Sequence, residues 1–220
     1  MNFATASIQF WSTVQAALSK ADNLELLILY DPRGAHSWVL DHPDARFQLR
    51  ELNTNLPWDA HTVALLARQH KLRVLTTGDS LEDGPPCALP PGALGSLTTF
   101  SGPVLVAAEL LASPLTHLQI VADDDTAPLL QTVVSDLARL VPTLRGLNIL
   151  GANEALMLEA LQAVAQAVFA PKLRYFGVLV VLPAEVRRFI PHFPAPAPSI
   201  RTHRRGPAPA FRTCTRPRSR

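Results

Sequence analysis

The sequence predicts an α/β solenoid in which about seven parallel strands form one side and helices form the other. A strand motif of the form L-x-x-L, clearest in Leu-Arg-Gly-Leu-Asn-Ile-Leu at 144–150, recurs in near-copies along the chain. The segments between the copies are long enough for parallel crossovers, and several have helical composition. These two observations together indicate stacked β–α units rather than a single isolated strand.

The first leucines of the seven copies act as anchors and follow one another at similar intervals. They are Leu24, Leu49, Leu72, Leu97, Leu115, Leu144 and Leu173, at intervals of 25, 23, 25, 18, 29 and 29 residues. A strand with a crossover of that length is one parallel unit, and periods of about 20–30 residues are typical of repeat architectures. We therefore expect strands that follow one another in sequence to be neighbours in one sheet.

The elements are predicted in order from apolar runs, turn residues and helix caps. The strands are 24–31, 49–53, 72–76, 97–100, 115–120, 144–150 and 173–178, and the first is closed by Asp-Pro-Arg-Gly. Helices are predicted at about 60–70, 103–111, 126–140 and 154–169, each preceded by a proline or a capping side chain.

Three parts are predicted along the chain. Residues 1–22 carry apolar residues at helical spacing and form an N-terminal helix, residues 23–182 form the repeat domain, and 183–220 form a Pro/Arg-rich tail. The tail has nine arginines and one acid, a charge of +8, so the first 182 residues carry −6 of the total +2. We expect this tail to be disordered, because it has too little apolar surface to offset its ordering entropy.

Composition indicates an intracellular protein, cytoplasmic or nuclear. The two cysteines, Cys87 and Cys214, form no disulfide framework, and the N-terminus lacks a signal-peptide pattern. Apolar runs are far shorter than the roughly 20 residues of a membrane span. We expect no membrane association, and no nucleic-acid role beyond non-specific attraction to the basic tail.

These motifs resemble those of irregular leucine-rich repeat proteins. Asn-Leu-Glu-Leu-Leu-Ile-Leu at 23–29 and the Leu-Arg starts with arginine at 50, 73, 145 and 174 are most similar to the leucine-rich regions of fungal F-box-type proteins. The resemblance implies a non-catalytic protein-interaction module, with substrate recognition for a ubiquitin ligase as its context. The asparagine or cysteine expected after the third leucine is irregular. No F-box-like segment precedes the repeats, so we expect the adaptor-binding part to be absent.

The surface predicted to bind a protein partner is the concave face of the sheet. With the leucines at repeat positions 1, 4 and 6, side chains at positions 3, 5 and 7 point away from the core. The candidate binding residues on this face are Tyr30, Glu51, Asn53, Thr76, Thr99, His117, Gln119, Asn148 and Tyr175. The alternative is that these are ordinary solvated sheet positions.

A Rossmann-like α/β enzyme is the alternative to a binding module. Asp31, Asp79 and Asp123 each follow a predicted strand, where carboxylates can hold Mg²⁺ or accept a phosphoryl group. Turn and cap roles explain the same residues, and no phosphate-binding glycine motif is present. We therefore predict no enzyme activity, no cofactor, no metal site and no small-molecule substrate.

Overall fold

The computed structural model describes residues 8–41, 46–78, 87–122 and 126–180. The predicted parallel strands are confirmed as one seven-stranded sheet, in the order β1-β2-β3-β4-β5-β6-β7. The strands are β1 Leu26–Leu29, β2 Glu51–Thr54, β3 Val74–Thr77, β4 Thr99–Pro103, β5 His117–Val121, β6 Gly146–Leu150 and β7 Tyr175–Leu179. A doubly wound sheet reverses its order at a switch point, so the fold that the enzyme alternative requires is not the fold of this sheet.

The register of the sheet follows the leucine anchors. Leu26, Glu51, Val74, Thr99, His117, Gly146 and Tyr175 are aligned across the seven strands. Each of them lies two residues after its anchor, so one numbering of repeat positions holds for every strand, with the anchor at position 1. The strands begin at position 3, whereas the sequence predicts that they begin at the anchor.

The reason for the later start is the way in which the chain enters the sheet. The amides of Arg50 and Glu51, at positions 2 and 3, both donate to the carbonyl of Glu25, at 2.7 and 3.1 Å. The same forked arrangement recurs at each of the other five strand junctions. The anchor therefore belongs to a bend whose side chain enters the core, and regular pairing starts only after it.

Helices occupy most of the crossovers. They are α1 Ile8–Leu18, α2 Ala60–Leu66, α3 Val104–Glu109, α4 Ala127–Leu140 and α5 Glu154–Gln166, with 3₁₀ helices at Ser37–Leu40 and Ala170–Lys172. The Asp59 carboxylate caps α2 by accepting from the Thr62 amide at 3.0 Å, and the Asn153 side chain caps α5. The last predicted helix is shorter than expected, because the chain turns into the 3₁₀ helix that contains Pro171.

The core lies between these helices and one face of the sheet. The anchors Leu49, Leu72, Leu97, Leu115 and Leu144 are fully buried, and so are most side chains at position 4. They share one apolar cluster with residues of α2 to α5. Burial of a leucine contributes about 1.5–3 kcal/mol, so the repeated leucines account for much of the stability. The opposite face, formed by positions 3, 5 and 7, is called the open face below.

Several predictions fall outside the described part of the chain. The tail at 183–220 lies there, as do Asp79, Asp123 and residues 1–7 of the predicted N-terminal helix. Within the described ranges, no helix is both long enough and apolar enough to cross a bilayer.

Candidate functional site

All of the predicted binding residues lie on the open face, because the register places each of them at position 3, 5 or 7. Glu51, Thr99, His117 and Tyr175 occupy position 3, Asn53, Thr76, Gln119 and Asn148 occupy position 5, and Tyr30 follows β1 at position 7. They are spread over all seven strands, so the structure brings only some of them together.

Polar side chains at position 5 form a hydrogen-bonded row across β4, β5 and β6. The Gln119 amide nitrogen donates to the Ser101 hydroxyl at 3.0 Å, and the Asn148 amide nitrogen donates to the Gln119 carbonyl oxygen at 3.0 Å. These two hydrogen bonds orient both amides, because Gln119 uses its nitrogen and its oxygen and Asn148 uses its nitrogen. The second N–H of each amide and the carbonyl oxygen of Asn148 remain for a ligand.

A concavity of about 250 Å³ opens beside this row on strands β4 to β7. Its lining includes five of the predicted residues, which are Thr99, His117, Gln119, Asn148 and Tyr175, together with Phe100, Ser101, Leu118 and Gly146. No aspartate, glutamate, lysine or arginine is among these residues. The concavity therefore suits an uncharged group with a few polar atoms more than an anion or a metal ion.

Gly146, which lines the concavity, and Gly177 on the next strand leave room for neighbouring side chains. A Cβ at Gly146 would come within 2.7 Å of His117 Cδ2, and a Cβ at Gly177 would come within 2.5 Å of the Asn148 carbonyl oxygen and 2.9 Å of the Tyr175 hydroxyl. The His117, Asn148 and Tyr175 side chains thus lean over the glycines of the next strand or their own. Glycine inside a strand often marks such a close approach, and this signal could have located the concavity from the sequence.

His117 is the ionisable imidazole of the concavity. Its Nδ1 lies 3.0 Å from the Thr116 hydroxyl, which itself donates to the Thr98 carbonyl at 3.0 Å. The Thr116 hydroxyl proton is therefore used on the backbone, so Nδ1 is the donor in this pair and the neutral ring has its acceptor at Nε2. Nε2 has no hydrogen-bond partner among the described residues.

The remaining predicted residues lie apart from the concavity, on β1 to β3. The Tyr30 hydroxyl donates to the Asn53 carbonyl oxygen at 2.5 Å, while Glu51 is exposed and Thr76 is half-buried. These four residues extend the open face toward β1 but do not enclose a space.

Both ends of the open face expose apolar side chains. Leu26, Ile28 and Tyr30 are 48%, 58% and 55% exposed at one end, and Tyr175 and Leu179 are 59% and 60% exposed at the other. The N-terminal helix α1 packs against the 3₁₀ helix Ser37–Leu40 and leaves the β1 side chains uncovered.

Asp31, the first acid of the enzyme alternative, is a buried turn residue. Its carboxylate accepts from the amides of Arg33, Ala35 and His36 and lies 2.7 Å from His36 Nδ1. Burial raises the pKa of this carboxyl, but the hydrogen bonds from Arg33, His36 and Ala35 outweigh it and leave the pKa below the ordinary 3.8. The imidazole in turn stacks on Trp11, with ring centroids 5.1 Å apart. The carboxylate contacts thus fix the turn after β1, and His36 joins this turn to α1.

Metal-ligating side chains do not converge in the described part of the chain. Within residues 8–41, 46–78, 87–122 and 126–180, no three His, Cys, Asp or Glu side chains are grouped as a metal site requires. The polar groups of the open face are mainly amides and hydroxyls, which recognise hydrogen-bonding partners.

Comparisons with protein-family models, with curated proteins and with solved structures give no match for this chain. The leucine-rich repeat resemblance therefore remains an expectation based on the sequence motifs.

Proposed function

We propose that residues 23–182 form a leucine-rich repeat solenoid whose open face is a concave, non-catalytic protein-binding surface. The observation that carries this proposal is the hydrogen-bonded row Ser101–Gln119–Asn148 beside the glycine-lined concavity. Substrate recognition in an F-box-type ubiquitin ligase is the biological context that the sequence resemblance supplies.

The leucine-rich repeat assignment is supported by agreement between the repeats. All seven strands are parallel, in sequence order and in one register relative to their anchors. One face is covered by helices and the other is open, which leaves a continuous surface of the kind that repeat proteins use for binding.

The hydrogen bonds of Gln119, Asn148 and His117 favour binding over catalysis. Gln119 and Asn148 are oriented by each other and present N–H donors and a carbonyl acceptor, which is the pattern that complements a peptide backbone or an amide side chain. His117 is the one imidazole in the lining of the concavity, and the Thr116 hydroxyl is the side-chain group in hydrogen-bond contact with it among the described residues. The proton of that hydroxyl is donated to the Thr98 carbonyl, so His117 is not placed to remove it, as a base that activates a nucleophile must be.

The test is affinity capture from cells with matched arginine variants. Asn148→Arg places a bulky side chain beside the concavity and removes the amide that pairs with Gln119, whereas Gln162→Arg places the same side chain on exposed α5, on the helical side. We expect proteins that bind the wild-type chain to be lost with Asn148→Arg and retained with Gln162→Arg. Retention of every captured protein by Asn148→Arg would refute the proposed binding surface.

The ubiquitin-ligase context is tested separately, by measuring the ubiquitination of a captured protein. A protein captured through the open face is expected to carry less ubiquitin in cells that express Asn148→Arg than in cells that express Gln162→Arg. Equal ubiquitination of that protein in both cells would remove the ligase context but would leave the binding surface in place.

A further inference from the structure

The arginines of the Leu-Arg starts form a row along the edge of the open face. Position 2 is occupied in strand order by Glu25, Arg50, Arg73, Thr98, Thr116, Arg145 and Arg174. The backbone amide of each residue from Arg50 onward donates to the carbonyl of the one before it, at 2.7–3.0 Å. The row is therefore continuous across the seven strands, and it borders the residues at position 3.

Three of the four arginines in this row have no acidic partner among the described residues. Arg50 pairs with Glu25 at 3.2 Å, whereas Arg73, Arg145 and Arg174 are exposed and form no ion pair within the described ranges. Arg145 and Arg174 directly precede Gly146 and Tyr175, beside the concavity. The basic edge contrasts with the charge of −6 on residues 1–182.

We infer that the partner of the open face is an extended peptide segment with acidic side chains that pair with Arg73, Arg145 and Arg174. This inference rests on the proposed binding function and adds the chemistry of the ligand. Arginine suits this role because its planar guanidinium forms bidentate hydrogen bonds with a carboxylate. The uncharged concavity beside the row accepts a neutral side chain of the same segment.

The strand spacing fixes the spacing of the acids. Adjacent strands are about 4.8 Å apart and an extended chain advances about 3.4 Å per residue. Arg145 and Arg174 lie three and four strands beyond Arg73, which corresponds to about 14 and about 19 Å. Acids at i, i+4 and i+6 of an extended peptide match both distances and point to one side of the peptide. The residue at i+2 points to the same side, toward Thr99 and His117.

The test uses fluorescein-labelled ten-residue peptides and the full-length chain. One peptide carries glutamates at i, i+4 and i+6 with leucine at i+2. The second peptide has the same composition with the three glutamates consecutive, and the third has glutamine in place of glutamate. We expect the first peptide to bind most tightly by fluorescence anisotropy, with affinity that falls as NaCl is raised, because salt screens exposed charges.

Two double variants with equal changes of net charge locate the contact. R145E/R174E reverses the basic edge, and K20E/R139E reverses two exposed cations that lie after α1 and on α4. We expect R145E/R174E to weaken binding of the first peptide by about tenfold or more, because an exposed ion pair contributes up to a factor of about five and reversal replaces attraction with repulsion. K20E/R139E is expected to bind normally. Thermal melts by circular dichroism check folding, and R145Q/R174Q should give an intermediate loss.

Three results would overturn the acidic-peptide inference. The first is that both double variants weaken binding of the first peptide equally. The second is that the consecutive-glutamate peptide binds as tightly as the first peptide. The third is that no peptide binds, while duplex DNA or anionic vesicles bind the wild-type chain and not R145E/R174E. If any of these results is found but a captured protein is still lost with Asn148→Arg, the proposed function stands and only the acidic-peptide inference is refuted. Failure of both experiments would remove the binding surface itself.

Discussion

Gly151 connects the ends of three strands, and its substitution by alanine is expected to destabilise the fold strongly. It follows β6 with φ of +88°, and its amide donates to the Leu179 carbonyl at 3.0 Å. A Cβ at this position would overlap the carbonyl oxygen of Ala122, which is backbone and cannot rotate away. Gly151 is therefore constrained both by its dihedral angle and by its neighbour.

Gly92 is the matched control because it has the first constraint without the second. Its φ is +79°, and nothing lies within 4 Å of its Cβ position. A left-handed conformation costs an alanine about 1–2 kcal/mol. The backbone shift that relieves the overlap at Gly151 costs about 1–3 kcal/mol more. The entropic gain in the unfolded chain is similar for both variants and cancels in their comparison.

The assay is urea denaturation followed by far-ultraviolet circular dichroism. Tryptophan emission is a poorer signal, because Trp11, Trp38 and Trp58 all precede β3. We expect the free energy of unfolding to fall by about 1–3 kcal/mol more for Gly151→Ala than for Gly92→Ala. If Gly151→Ala costs no more than Gly92→Ala, the close approach to Ala122 does not exist in the folded protein.

Substitutions at three further positions test other parts of the fold. Asp31→Asn should lower stability at neutral pH. Because the pKa of Asp31 is below 3.8 in the folded state, the wild-type advantage should be full above that pH and decrease as the pH falls toward the lowered value, so urea titrations should give a smaller advantage at pH 3 than at pH 7. Leu147→Ala should cost about 2–5 kcal/mol in the same assay, because the side chain is fully buried. Asn153→Ala should cost about 1 kcal/mol, because the Leu156 amide loses its capping oxygen, and Asn153→Asp should restore most of that loss.

The parallel sheet could be predicted because its signal is repeated and local. Leu49, Leu72 and Leu144 are each fully buried, and each fixes the same register two residues later. Side-chain alternation then assigns every position to the core or to the open face. The pattern could not predict where each strand starts. The start depends on the forked hydrogen bonds at position 2, which are made with the neighbouring strand and cannot be recognised in the sequence of the strand itself.

Position 6 is a leucine position of the repeat, but β2 to β4 have other residues there because the side chains of adjacent strands must fit together. Thr54, Thr77 and Gly102 occupy this position in β2, β3 and β4. A Cβ at Gly102 would overlap the Thr77 hydroxyl, so the glycine accommodates its neighbour. Such compensation between adjacent strands explains why β4 has a glycine at position 6 although it pairs regularly with both of its neighbours.

The candidate site shows the same dependence on neighbouring strands. The sequence predicts from its own strand that Asn148 is offered to a partner, but one of its two N–H groups is used on Gln119. The groups it presents are the second N–H and the carbonyl oxygen, and Gly177 leaves room for that oxygen because it has no side chain. Alternation within a strand thus predicts which residues face outward. The identity of the next strand decides which atoms of those residues remain for a ligand, and the position-2 arginines add charge where the amides have none.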